Sequence, residues 1–376
     1  MRDLLITAHT PVLRSGHAVR TYGVARALAA QGNGLDLLYV GFDAPEPDAA
    51  FRSIPGVRLH EIAPSRGIGR TLTYGQARIA GVPSSFARGV SRELASDAAR
   101  FAAEPDRGRV IADGPIVAAS LASLARRRPV VYNAHNFESA FRLELNTGKR
   151  LGINARGFRR FERGLLERAA ETWMVSEADV AAARSLCPTA KLRYVPNVVD
   201  VAAINPVREP ARERRAIFVA SFFYEPNRIG LRFLLEDVFP RVWERLPDAR
   251  LSLVGAGLER PPSEDPRVET LGFVDDLAGA YASARCALVP LLLGGGTPLK
   301  FIEALAHGLP VIATPRAAAG LDVRDGENCL VAEGGEAFAA ALVRILTDGA
   351  PELGRRGREL AVERYSVEAL TRLLAS

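Results

Sequence analysis

The sequence predicts an α/β protein made of two doubly wound, Rossmann-like domains that face one another across a cleft. Three observations support this prediction. Short apolar runs alternate with longer helical patterns along the chain, which is typical of parallel α/β units. The chain has 376 residues, which is too many for one compact core. A segment at 192–215 with three prolines and many arginines separates two similar halves, as a hinge would.

The apolar runs define the expected strands. They are residues 3–8, 35–42, 57–63, 108–114, 129–135 and 171–176 in the first half, and 214–221, 249–257, 268–274, 286–292, 310–314 and 329–333 in the second. Helical periodicity is found at 16–32 and 85–104, and 352–376 is interpreted as two helices broken near Tyr365. We expect an acceptor-binding domain at 1–195, a nucleotide-sugar-binding domain at 196–357, and a C-terminal helix at about 358–376 that packs back on the first domain.

Composition limits the classes of function. A net charge of +6 favours acidic partners such as phosphates or anionic lipid, whereas no motif indicates nucleic-acid binding. No run of 18 apolar residues predicts a membrane span, and the N-terminus does not resemble a signal peptide. Three scattered cysteines indicate neither a disulfide framework nor a metal site. We therefore expect a cytoplasmic protein without a metal.

The segment "LLLGGGTPLKFIEALAHGLPVIAT" at 291–314 has the clearest chemistry. Its Lys300 is one of only three lysines, beside 46 arginines, and it follows a glycine-rich turn after an apolar strand. Thr297 is expected as the N-cap and Pro298 as the first residue of a helix that ends before Gly308. A glycine turn at a helix start exposes N–H groups at the positive end of the helix dipole, which favours a phosphate site.

Lys300 and Glu303 are three positions apart and share one face of this helix. A lysine can reach a diphosphate, whereas a glutamate is suited to sugar hydroxyls. The pair therefore suits a nucleotide sugar. The alternative is a solvated ion pair, worth ~0.3–0.5 kcal/mol.

Several segments resemble those of one enzyme family. "GGGTPLKFIEALAHGLPVIAT", "PVLRSGHAVRTYGVARALAAQG", "VVYNAHNFES", "MVSEAD…VPNVVD", "FVASFFYEPNRIGL" and "LSLVGAG" are similar, in order and spacing, to segments of the retaining, group-1 (family four) glycosyltransferases of GT-B architecture. The resemblance implies transfer of a sugar from a nucleotide-diphosphate donor with retained anomeric configuration and no metal or other cofactor. A lipid-linked glycan, a natural product or a small sugar would each fit as acceptor.

The resemblance also implies roles for individual residues. Lys300 would bind the diphosphate, Glu303 the ribose, and His135 the donor sugar and the reacting region. We expect the catalytic group to be His135, Lys300 and Glu303. The other expected donor contacts are Gly16, Ser221, Arg228, Gly272, Phe273, Val274, Gly295, Gly296 and Thr297.

Two departures from the family pattern concern the donor site. Many members have a carboxylate eight positions before Glu303, where this chain has Gly295. Many also have an arginine after the strand "IFVAS", where this chain has Ser221, so phosphate charge would depend more on Lys300, with Arg228 as a substitute.

Other polar residues are weaker candidates. His17, Arg20 and Asp113 are expected acceptor or phosphate contacts near strand ends, and His307 is expected to stabilise the dipole at a helix C-terminus. "GAG" at 255–257 lacks the third glycine of a dinucleotide fingerprint, which argues against a nicotinamide enzyme.

Alternative functions remain open from the sequence. A nucleotide-sugar epimerase of related architecture would need acid and base carboxylates in the N-terminal domain, and a catalytically silent nucleotide- or sugar-binding protein would need no reaction at all. The basic segment 141–171 is typical of a solvated helix, and peripheral contact with an anionic membrane at the inner face is the alternative.

Overall fold

The computed structural model describes residues 1–13, 15–41, 46–64, 67–139, 152–207 and 211–375. They form two compact units: unit 1 contains Met1–Asn197 and Leu370–Ser376, and unit 2 contains Val198–Ala369. Each unit is built on one parallel sheet, of seven strands in unit 1 and six in unit 2, so the prediction of two doubly wound α/β domains is confirmed. The substrate roles assigned to the two domains remain predictions.

The sheet of unit 1 has the strand order β3-β2-β1-β4-β5-β6-β7. Its strands are β1 (Arg2–Thr7), β2 (Gly34–Val40), β3 (Val57–Ile62), β4 (Arg107–Asp113), β5 (Val131–Asn133), β6 (Glu171–Met174) and β7 (Leu192–Tyr194). Every neighbouring pair is parallel. The connections change direction between β1 and β4, and a crevice forms at the carboxyl ends of the two strands on either side of such a point.

Helices cover both faces of this sheet. They are α1 (Gly16–Ala29), α2 (Ala49–Arg52), α3 (Gly67–Ile79), α4 (Ser84–Ala87), α5 (Arg92–Ala102), α6 (Pro115–Ser120), α7 (Gly152–Arg168) and α8 (Glu177–Leu186). The single helix predicted over 85–104 is wrong, because α4 and α5 are separate. A Cβ atom on Gly89 would lie 2.9 Å from Ile116, and the Ser91 hydroxyl caps α5 by accepting from the Leu94 N–H at 3.1 Å.

The sheet of unit 2 has the strand order β10-β9-β8-β11-β12-β13. Its strands are β8 (Arg215–Val219), β9 (Arg250–Val254), β10 (Val268–Gly272), β11 (Cys286–Val289), β12 (Val311–Ala313) and β13 (Leu330–Val331). Its helices are α9 (Glu225–Phe233), α10 (Phe239–Arg245), α11 (Leu277–Ala282), α12 (Leu299–Ala306), α13 (Pro315–Ala318), α14 (Gly334–Asp348), α15 (Pro351–Arg364) and α16 (Val367–Ala375). The change of direction here lies between β8 and β11.

The strands form where they were predicted because parallel strands are buried on both faces and are written as continuous apolar runs. Leu4, Leu5 and Ile6 of β1 are fully buried, as are Ala216, Ile217 and Phe218 of β8. All twelve predicted strands are present, whereas β7 was not predicted. The break predicted near Tyr365 is confirmed, since α15 ends at Arg364 and α16 begins at Val367. Only residues from Leu370 onward group with unit 1, and α15 belongs to unit 2.

Candidate functional site

The polar groups of unit 2 gather at the carboxyl ends of β8 and β11, where its sheet changes direction. Ser221 follows β8, and the glycine-rich turn 294–296 follows β11 and leads into α12. The backbones here approach closely. A Cβ on Gly257 would lie 2.6 Å from the backbone nitrogen of Phe223, and one on Gly230 would lie 2.7 Å from the Pro290 carbonyl oxygen. This packing fixes the loop after β8 against the loop after β9.

Lys300 lies in this crevice and contacts α9. Its Nζ donates a hydrogen bond to Oδ1 of Asn227. The amide nitrogen Nδ2 of Asn227 donates in turn to the Ser221 carbonyl at 2.7 Å. The ammonium also lies 5.0 Å from the centre of the Phe218 ring. Among the described residues, Lys300 bonds to Asn227 and Glu303 to Tyr281, and the two form no ion pair with each other. The alternative of a solvated ion pair between them is therefore wrong.

Burial perturbs both charged residues of α12. It lowers the pKa of Lys300 to about 7, although nearby Glu303 opposes the shift. Burial also raises the pKa of Glu303 to about 7, against the effects of a hydrogen bond from Tyr281 and of Lys300. The Tyr281 hydroxyl lies 3.4 Å from Oε2 of Glu303. An ammonium and a carboxyl group whose pKa values are both perturbed by burial are arranged to respond to a charged, hydroxyl-bearing ligand.

The turn before α12 presents backbone donors. Among the described residues, no carbonyl accepts from the N–H groups of Gly295, Gly296 or Leu299. The helix starts one residue later than predicted. Pro298 is the N-cap, with φ −72° and ψ 112°, so the prediction of Thr297 as N-cap is wrong. Pro298 takes the extended conformation of a cap, and buried Thr297 therefore lies outside the first turn.

The remaining donor candidates of unit 2 lie at the same edge of its sheet. Gly272 ends β10 with φ 65°, and its carbonyl accepts from the Gly255 N–H at 2.7 Å. Phe273 and Val274 follow, with the Phe273 side chain 59% exposed. Arg228 is exposed on α9, where its Nε lies 3.9 Å from the Glu225 carboxylate. The acidic neighbour makes Arg228 a weak substitute for an arginine at position 221.

His307, at the C-terminus of α12, does not have the predicted charge. Burial and the nearby Arg358 lower its pKa to about 4, so the imidazole is neutral at pH 7. Its ring stacks on Tyr281 with centroids 4.4 Å apart. His307 is the C-cap of α12, at the helix end where the sequence placed it, but the buried ring lacks the charge that would stabilise the dipole.

A second polar cluster lies in unit 1 at the carboxyl ends of β1, β4 and β5. Asp113 is fully buried and accepts from Thr21 Oγ1 at 2.5 Å, from Asn133 Nδ2 at 2.7 Å and from His135 Nε2 at 2.8 Å. Burial would raise the pKa of Asp113, but His135 and the hydrogen bonds from Thr21 and Asn133 outweigh it and hold the pKa at about 2. An ionised carboxylate can only accept, so Nε2 of His135 carries the proton of this hydrogen bond. The other ring nitrogen, Nδ1, is the one not bonded to Asp113.

Arg20 is buried beside this cluster, and each of its three guanidinium nitrogens donates to a protein oxygen. Its Nε and Nη2 donate to Oδ1 of Asn133 at 3.1 and 2.6 Å. Its Nη1 donates to the carbonyls of Val195 and Pro196 and to Oδ1 of Asn197. This geometry differs from the predicted contact with acceptor or phosphate. Arg20 positions Asn133 and, through it, Asp113.

Three imidazoles form a row that ends at His135, the ring bonded to Asp113. His17 stacks on His135 with centroids 4.6 Å apart, and His9 lies 6.3 Å from His17. Desolvation among these rings and the nearby His135 lower the pKa of His17. Gly16 is the first residue of α1, and among the described residues no acceptor takes its N–H or that of His17. The predicted His17 thus lies beside His135, and Gly16 precedes it on α1.

The sequence did not single out Asn227, Asn133 or His9. Asn227 did have a signal, because it lies four positions before buried Leu231 on α9 and seven before buried Leu234, which follows that helix. A polar residue on an apolar helix face needs a hydrogen-bond partner, which is here Lys300.

The fold and the two polar clusters define a protein of the GT-B class. Sucrose-phosphate synthase from Thermosynechococcus elongatus superposes with a TM-score of 0.76 at 20% identity, over 100% of this chain and 97% of that one. Anabaena Alr3699/HepE in complex with UDP and glucose superposes with a TM-score of 0.70 at 14% identity, over 100% of this chain and 98% of that one. Identities this low show the fold alone.

The chain belongs to the group 1 glycosyltransferases. Residues 213–348 match the family described as "Glycosyl transferases group 1", and residues 15–198 match the "Glycosyl transferase 4-like domain". A phosphatidyl-myo-inositol mannosyltransferase of Mycobacterium leprae is 31% identical over 40% of this chain and 43% of its own length. The lipopolysaccharide core biosynthesis glycosyltransferase LpsE of Rhizobium meliloti is 33% identical over 40% of this chain and 47% of its own length. These matches span less than half of either relative.

Proposed function

We propose that the protein is a retaining, metal-independent glycosyltransferase that moves a sugar from a nucleotide-diphosphate sugar to a hydroxyl acceptor. The observation that carries this proposal is that Lys300 of α12 follows a turn in which the N–H groups of Gly295 and Gly296 have no carbonyl partner among the described residues. Ammonium and oriented amides together bind phosphate oxygens. They lie at the carboxyl ends of the strands between which the sheet changes direction, and ligands of such sheets bind at that point.

Lys300 supplies charge where the leaving group develops it. When the bond between the anomeric carbon and the phosphate oxygen breaks, the electron pair stays on the diphosphate. Lys300 and the N–H groups of Gly295 and Gly296 stabilise that charge. The acceptor hydroxyl attacks the same face of an oxocarbenium-like sugar, and its proton passes to the departing phosphate oxygen. Glu303 accepts hydrogen bonds from the ribose hydroxyls once it is ionised.

Asn227 has a supporting part in this site. Its side chain links the ammonium of Lys300 to the backbone carbonyl of Ser221. Ser221, which stands where many family members have an arginine, is uncharged. The positive charge at this point therefore comes from Lys300 of α12. Asn227 directs that charge toward the end of β8.

Unit 1 contributes an oriented imidazole to the reacting sugar. Asp113 fixes Nε2 of His135 as the protonated nitrogen, which leaves Nδ1 as an acceptor for a sugar hydroxyl. Asn133 and Arg20 hold Asp113 in place. His17 covers one face of the imidazole and limits its rotation.

The donor and acceptor classes are suggested by the relatives. HepE has been solved with UDP and with UDP-glucose, and a relative in Mycolicibacterium smegmatis is described as dependent on GDP-mannose. Uridine and guanosine donors both remain candidates. The mannosyltransferase and LpsE relatives favour a lipid-linked glycan as acceptor over a natural product or a small sugar.

We further propose that the protein works in the cytoplasm, at the inner face of a membrane. No helix among the described residues has the length and apolar character needed to cross a bilayer. Part of the basic segment 141–171 forms α7, which exposes Arg156, Arg159, Arg160 and Arg163, while 140–151 lie outside the described residues. Such arginines attract anionic lipid.

Two other functions are separable from this one. An epimerase would need a free carboxylate in unit 1, but Asp113 is already bonded to three protein partners. A silent binding protein is favoured only by Gly295, which stands in place of a carboxylate.

The experiment is a screen of nucleotide-diphosphate sugars by thermal shift, followed by detection of sugar transfer in the presence of EDTA. We expect stabilisation by one nucleotide class and transfer that EDTA does not inhibit. Epimerised donor without transferred sugar would support the epimerase, and stabilisation without turnover would support the silent binder.

A further inference from the structure

Helix α3 carries an apolar stripe that faces solvent. Ile68 is 80% exposed, Leu72 56% and Ile79 90%. Positions 68, 72 and 79 fall on one side of a helix because they recur at intervals of one and about two turns. The opposite side holds Thr73 and Ala77, which are buried. The helix therefore packs on unit 1 through one face and exposes large aliphatic side chains from the other.

The chain around this stripe is cationic. No aspartate or glutamate occurs between Glu61 and Glu93, while Arg70 and Arg78 lie on α3 and Arg88 and Arg92 follow it. All four of these arginines are exposed. A second copy of the chain would bring like charges together, which disfavours self-association through this face.

Helix α7 adds to this charge. Ala77 of α3 and Phe161 and Leu165 of α7 belong to one buried apolar cluster, so the two helices share a core. The exposed arginines of α7 therefore belong to the same part of unit 1 as the stripe. On α7 the Glu167 carboxylate pairs with Arg163, whereas α3 itself has no carboxylate. Aliphatic side chains on a helix that carries arginines and no carboxylate are typical of helices that lie in the interface of an anionic bilayer.

We propose that α3 is a membrane-insertion helix, which places Ile68, Leu72 and Ile79 among the acyl chains of an anionic bilayer. The inference rests on the proposed membrane contact and extends it, since arginines alone would only adsorb to the headgroups. Insertion brings unit 1 to a lipid surface independently of sugar transfer.

The experiment is co-sedimentation with vesicles of phosphatidylglycerol and phosphatidylcholine, compared with vesicles of phosphatidylcholine alone. We expect the full chain to bind the anionic vesicles, with only part of the binding lost at high salt. The variant Ile68→Ser/Leu72→Ser/Ile79→Ser should bind at least about tenfold more weakly, since it loses the apolar area that enters the bilayer. The control variant Val362→Ser removes a half-exposed apolar side chain from unit 2 and should bind normally.

A second variant reports insertion directly. In Ile79→Trp, the added indole should shift its emission to the blue with anionic vesicles and be quenched by brominated acyl chains. Equal sedimentation of the triple variant and the unaltered chain, or an unshifted emission, would overturn the proposal. So would a dimer in vesicle-free solution that the triple variant disrupts, because the stripe would then cover a second copy. Each variant is also titrated with a nucleoside diphosphate. If the diphosphate binds normally while vesicle binding does not depend on the stripe, the membrane proposal fails and the transferase proposal does not.

Discussion

Replacing Lys300 with alanine tests the donor site at its most informative residue. The ammonium has three N–H donors, and only Asn227 takes one of them among the described residues, so two are available to phosphate oxygens. A hydrogen bond to a charged group contributes ~1.5–3 kcal/mol. Loss of one such bond predicts that Lys300→Ala weakens nucleoside diphosphate binding by about 10- to 150-fold.

The assay is calorimetric titration of matched ligands. A nucleoside diphosphate and its nucleoside are each titrated into the unaltered chain and into Lys300→Ala, at a pH below 7 where the ammonium is protonated. Nucleoside affinity should change by less than about twofold, because the base and ribose contacts remain. Lys191→Ala is the matched control, since Lys191 is an exposed lysine of unit 1. Equal losses for nucleoside and diphosphate would refute the assigned role of Lys300.

Three further predictions concern the same chemistry. The pKa of Lys300 is lowered to about 7, and a bound phosphate raises it again, so diphosphate binding takes up a proton. Diphosphate affinity should therefore fall as pH rises from 7 to 9, by up to about tenfold per pH unit. Lys300→Ala should remove this slope, and a flat profile in the unaltered chain would contradict the buried ammonium. Asn227→Ala should weaken diphosphate binding about tenfold, and Asn227→Asp should move the pH profile upward because a carboxylate stabilises the ammonium; identical profiles in both variants would show that Asn227 does not contact Lys300 in solution. Asp113→Asn should slow sugar transfer by about 10- to 100-fold, because His135 would be misplaced, and should leave diphosphate affinity unchanged. A normal transfer rate in this variant would show that His135 does not act on the reacting sugar.

The strands could be predicted from the sequence because burial on both faces leaves a simple record of apolar runs. Where the prediction failed, the cause was local. β7 is a three-residue edge strand whose residues are half-buried, so it has no apolar run to reveal it. The break between α4 and α5 depends on Gly89 packing against Ile116, a contact that periodicity does not contain.

The candidate site was predictable only where one segment carries it. Lys300, Glu303 and the glycine turn lie within ten residues of sequence, and their rarity and order point to phosphate. The supporting contacts join residues that are far apart in the sequence. Lys300 bonds to Asn227, and Arg20 bonds to Asn133. For the same reason Arg20 was predicted as a ligand contact, since only the structure shows that each of its three guanidinium nitrogens donates to a protein oxygen.

The central claim is that the diphosphate of a nucleotide sugar meets Lys300 at the start of α12. The most direct test is a crystal structure of the protein with a nucleoside diphosphate. We predict a phosphate oxygen at about 3 Å from Nζ of Lys300 and others on the N–H groups of Gly295 and Gly296. A diphosphate bound elsewhere, with Nζ still held by Asn227 alone, would contradict the account.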